Sequence, residues 1–139
     1  MKTYQRTPSE LFAELEKAED KVKLLQENLT LGVSTVLQMA FNPKIVLGLP
    51  EGDPPYKADT NPPDLTRSRF DNAIKQIGVC TLASKIPSYK KEQIFISILE
   101  SICDKDAKIV IAAKDKKLTE LYPFITEELV KKSAPELLK

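Results

Sequence analysis

The chain contains no histidine. That absence removes the usual general base, the Ser-His and Cys-His nucleophile pairs and the commonest transition-metal ligand together. Carboxylate chemistry would have to come from Asp104 with Asp106, Glu127 with Glu128, or Glu51 with Asp53. Asp104 and the Glu127–Glu128 pair stand where apolar helical runs begin, so capping and dipole compensation account for them. Glu51 and Asp53 lack the regularly spaced oxygen ligands of a calcium loop. The phosphate cradle G-x-x-x-x-G-K-[ST], the dinucleotide turn G-x-G-x-x-G and the nucleophile elbow G-x-S-x-G are all absent. The expectation is a protein that is not an enzyme and uses no cofactor or metal.

What remains is electrostatic. Across 65–91, Arg67, Arg69, Lys75, Lys85, Lys90 and Lys91 face a single acid, Asp71, for a local charge of +5 in a chain whose net charge is +1. On a helical wheel Arg67, Lys75 and Lys85 fall opposite the stripe Phe70, Ala73, Ile74, Ile77 and Cys80. Such a face suits a phosphate backbone, and it equally suits ordinary solvation. Lys114, Lys116 and Lys117 end an apolar run. There they either place cations at the carbonyl end of a helix dipole, worth about 0.3–1 kcal/mol, or add phosphate contacts. Pro54, Pro55, Tyr56 and Lys57 form a stiff aromatic-bearing segment that either presents Tyr56 to a protein partner or pins its loop to the body.

The elements that must position these groups read as helices. Thr7-Pro8-Ser9-Glu10 is a capping box with proline at the first helical position, so a helix starts at about residue 8. Val22, Leu24 and Leu25 continue on a second short helix, and Val33, Val36, Leu37, Ala40 and Phe41 form a third stripe that Asn42-Pro43 stops. Residues 42–64 carry six of the ten prolines and two of the four glycines, which excludes a helix there and predicts a long excursion. A helix is expected from Leu65 to Ile86, ended by Pro87, then another over 90–102. A third over 105–114 is to be capped by Asp104, and a last short one opens at Thr126.

At 139 residues the chain suits one domain, 1–139. A domain of this size buries about 68–70% of its unfolded surface and needs no metal or disulfide staple. Cys80 and Cys103 lie in apolar stretches, as buried thiols of a reducing compartment do. Neither an apolar leader nor a membrane span is evident, so the cytoplasm is the expected location. The fold class is all-α: a single compact helical domain of five to seven helices with a proline-rich loop at 42–64.

KVKLLQENLTLGVSTVLQMAFNP (Lys21–Pro43), LPEGDPPYK (Leu49–Lys57) and KKEQIFISILESICDKDAKIVIAAKDKKL (Lys90–Leu118) resemble a family of small uncharacterised proteins of tailed bacteriophages. More distantly, the order of helices and the Leu121–Ile125 end are similar to the N-terminal helical DNA-binding domain of phage ATP-dependent DNA ligases. The adenylation motif Lys-x-Asp-Gly is missing, since Lys114-Asp115-Lys116-Lys117 has neither the spacing nor the glycine. The resemblance therefore implies a body that grips double-stranded DNA without sealing nicks, in the host cell cytoplasm. It would work as an accessory beside a phage or host replication, repair or transcription protein. The alternative is a protein-interaction module that binds such an enzyme through the 42–64 loop and has no affinity for nucleic acid.

Overall fold

Local signals set most helix ends. In the computed structural model, which describes residues 7–42, 45–49, 54–57, 60, 70–81 and 84–138, the Thr7 N–H donates to Glu10 at 3.0 Å at the start of α1 (Pro8–Lys17). The Asp20 carboxylate accepts from Lys23 N–H and opens α2 (Lys21–Glu27). The Thr30 hydroxyl does the same for α3 (Leu31–Phe41), which ends before Asn42-Pro43 as the proline rule requires. Thr126 caps α8 (Glu127–Ser133) through Leu129 N–H at 3.2 Å.

Between them lie α4 (Phe70–Ile74), α5 (Ser88–Ser101), α6 (Asp104–Lys114) and α7 (Leu118–Leu121), with 3₁₀ segments over Lys75–Cys80 and Pro135–Leu138. The protein is all-α, with eight α-helices among the described residues rather than five to seven; the extra one is α7, a single turn. The only β pairing among them is an isolated bridge between Leu47 and Thr81. No described helix is long and apolar enough to cross a membrane. Of the proline-rich excursion, 43, 44, 50–53, 58, 59 and 61–64 lie outside the described residues.

Three expected boundaries move. The helix expected to run to Ile86 tightens to 3₁₀ at Lys75 and stops at Cys80. There the Cys80 carbonyl accepts Gly48 N–H at 2.8 Å, the Gly78 carbonyl accepts both the N–H and the hydroxyl of Thr81, and Thr81 is extended, so the helix closes. Pro87 begins a helix instead of ending one, because its carbonyl accepts the N–H groups of Lys90 and Lys91 and directs the chain into α5. The cap position of α6 belongs to Cys103, and Asp104 is its first helical residue.

One apolar cluster draws on all eight helices. α6 sits at its centre, packed against α1, α3, α5 and α7. Its Ile109, Val110 and Ala113 are fully buried. That explains why α6 is apolar on nearly every side instead of along one stripe. α2 packs on α8, and the C-terminal 3₁₀ segment packs on α3. The buried Asn42 amide donates to the Leu137 carbonyl at 2.9 Å and fixes that last contact. Cys80 and Cys103 are both free and buried.

Candidate nucleic-acid interface

The 3₁₀ segment Lys75–Cys80 packs along α5, and Cys80 Sγ donates to the Lys91 carbonyl at 3.4 Å. The contact sets the end of the 3₁₀ segment beside the first turn of α5. Lys75, Lys85 and Lys90 are exposed. From residue 72 to residue 91 the chain has four lysines and no carboxylate. None of the three exposed ammoniums forms an ion pair with a described acid, whereas Lys108 pairs with Asp104 and Lys131 with Glu127. Arg67 and Arg69 lie outside the described residues, and so does the side chain of Asp71.

Lys91, Lys114, Lys116 and Lys117 are held differently. Lys91 is only 5% exposed: it precedes Phe95 by four residues and Ile98 by seven, which puts its stem on the apolar stripe of α5. Lys114, expected at an open helix end, has a side chain 3% exposed. Its ammonium pairs with Asp115 and lies 6.0 Å from the Phe95 ring centre. Lys116 is exposed as a residue, yet its ammonium is engaged, donating to the carbonyls of Met39, Asn42 and Ile45. These are carbonyls at and just beyond the end of α3, so Lys116 caps a helix that is not its own. Partial burial lowers its pKa from the usual lysine value. Lys117 is exposed on the α6–α7 turn and engages other groups of the protein.

The aromatic-bearing loop segment is also folded back. The Tyr56 hydroxyl donates to Asp104 at 3.0 Å and the Lys57 N–H donates to Glu100 at 2.8 Å, tying this stretch to the α5–α6 junction. Tyr56 is half-buried, while Pro55 and Lys57 are exposed and Pro54 is intermediate. Of the carboxylates, Glu127 and Glu128 occupy the first turn of α8 as dipole-compensating groups. Asp106 is buried against the start of α1, and Glu51 and Asp53 lie outside the described residues. No group of three or more His, Cys, Asp or Glu that would hold a metal ion occurs among the described residues.

Tyr89, which the basic-residue pattern passes over, is 61% exposed beside Lys90. Its signal was present in the sequence, since the stripe Phe95, Ile98, Leu99 and Ile102 leaves residue 89 on the opposite side of α5. No curated protein and no solved structure matches the chain. Residues 10–120 match the family of unknown function DUF6433, and the chain belongs to that family.

Proposed function

We propose that this protein is a non-enzymatic accessory factor that contacts double-stranded nucleic acid through the basic segment bearing Lys75, Lys85 and Lys90. Its setting would be beside a replication, repair or transcription protein. The observation that carries the reading is the acid-free stretch 72–91, whose three exposed ammoniums form no ion pair with a described acid. Cations without internal partners release condensed counterions when they meet phosphates, which is the main source of sequence-independent affinity.

Fluorescence anisotropy with a labelled 20-mer duplex tests it. Wild type is expected to bind at low salt. The combined variant Lys75→Glu, Lys85→Glu, Lys90→Glu is expected to lose binding while keeping its helical spectrum and melting temperature, because surface substitutions usually change stability by under about 0.5 kcal/mol each. Absence of wild-type binding at low salt would discard the nucleic-acid reading in favour of a protein-interaction module.

A further inference from the structure

Tyr89 is the only exposed aromatic residue among the described residues. Phe12, Phe70 and Phe95 are buried, and Phe41, Tyr56, Tyr122 and Phe124 are partly so. It stands in the same acid-free stretch as the three free lysines, one residue before Lys90 and four after Lys85. Its ring makes no aromatic or cation contact with a described residue; the ring and cation pairs among the described residues are Phe12–Tyr122, Tyr122–Phe124, Lys21–Phe124 and Lys114–Phe95. Its backbone is rigidly seated, because the next two residues continue α5 from Pro87 and the Lys91 stem and Phe95 anchor that helix in the core.

We infer that Tyr89 is a base-stacking platform, so that this segment takes nucleic acid with an unpaired strand in preference to a continuous duplex. In a duplex the bases are stacked on one another and only phosphates and groove edges reach a protein surface; a single strand offers π-faces as well. An exposed tyrosine among unpaired cations supplies both contacts such a strand needs, a ring for the base and ammoniums for the flanking phosphates. A continuous duplex would use the lysines alone. The inference rests on the proposed nucleic-acid reading of this segment and adds the class of strand.

The test compares a labelled 20-nucleotide single strand with the 20-mer duplex by anisotropy at low salt, using wild type, Tyr89→Ala, Tyr89→Phe and the triple lysine reversal. Wild type is expected to bind the single strand about 5-fold or more tighter than the duplex. Tyr89→Ala should remove that preference without weakening duplex binding, Tyr89→Phe should keep it, and the lysine reversal should lose both ligands. Equal affinity for the two ligands, or single-strand binding unchanged in Tyr89→Ala, would overturn the stacking role while leaving the phosphate reading standing. Failure of wild type to bind either ligand would overturn both. At 61% exposure the Tyr89 side chain contributes little to the core, so the variants are expected to fold, which a circular dichroism melt checks directly.

Discussion

The Asp106 carboxylate accepts a 2.8 Å hydrogen bond from the Ser9 backbone N–H, joining residues 97 positions apart. Ser9 is the second residue of α1, where N–H groups have no partner within their own helix. A side chain from α6 thus does for α1 what a local cap does elsewhere, and it does so at 1% exposure. Burial pushes the Asp106 carboxyl above the usual carboxylate range; hydrogen bonds from the Ser9 backbone and from the Ser9 and Thr7 side chains oppose the shift without cancelling it.

The consequence is a pH dependence with a defined sign. With the folded pKa above the unfolded value of about 3.9, the folded state holds more protons between the two, so stability falls as pH rises through the folded pKa. The contribution is complete below about pH 4 and lost above the raised value. Asp106→Asn keeps an oxygen acceptor for Ser9 and does not titrate. Urea unfolding of both proteins from about pH 4 to 7 should show wild-type stability declining relative to Asp106→Asn as pH rises. A difference independent of pH would show that the carboxylate is not desolvated. Asp106→Leu, which strands the Ser9 N–H, should cost about 1–3 kcal/mol.

Lys116 has φ of 61°, a left-handed conformation in which glycine is usual. Its N–H donates to the Ala113 carbonyl at 3.1 Å and Lys117 N–H donates to Ala112 at 2.8 Å, the paired bonds of a Schellman end to α6. A lysine is kept there against a backbone cost of about 1 kcal/mol while its ammonium serves three carbonyls. Lys116→Met should lose those bonds and still carry the strain, costing about 1–3 kcal/mol. Lys116→Gly loses the same bonds but relieves the strain, so in urea melts it should be more stable than Lys116→Met by about 1 kcal/mol.

Cys80 is fully buried and its thiol is pushed up to about 11, chiefly by burial, with the nearby Lys91 charge pulling weakly the other way. Thiolate is the reactive form, so the folded protein should resist alkylation at neutral and mildly alkaline pH. In a Cys103→Ser background, iodoacetamide labelling followed by mass spectrometry should track the fraction of opened molecules through a urea titration. Rapid stoichiometric labelling in native buffer would contradict the buried, protonated thiol.

Three exposed, unpaired lysines set the salt dependence of any duplex complex. Each phosphate contact contributes about 0.9 to the log-log slope, so Lys75, Lys85 and Lys90 together predict about −2.7. Lys90→Ala should reduce the magnitude by about 0.9. Lys108→Ala should leave it unchanged, since that ammonium already pairs with Asp104 at 3.4 Å. A slope near that of nine contacts, about −8, would require Lys114 and Lys116 to leave their present partners and Lys91 to leave its buried position.

The amino-acid sequence by itself determined the helical class, the start of α1 at its capping box, the end of α3 before Pro43 and the start of α8 at Thr126. It also placed the acid-free basic stretch, because caps, proline stops and local charge act over three or four residues. Tertiary structure alone decided which cations are available. Lys90 and Lys91 are neighbours of the same type, yet the first is exposed and the second 5% exposed, because consecutive helical residues point about 100° apart and only one of those directions meets the core. Lys116 and Asp106 likewise look like surface charges in their own segments. Their partners, Met39, Asn42, Ile45 and Ser9, stand 71 to 97 residues away. A local pattern gives a side chain's direction relative to its own helix, whereas what covers it depends on packing between elements that are distant in the chain.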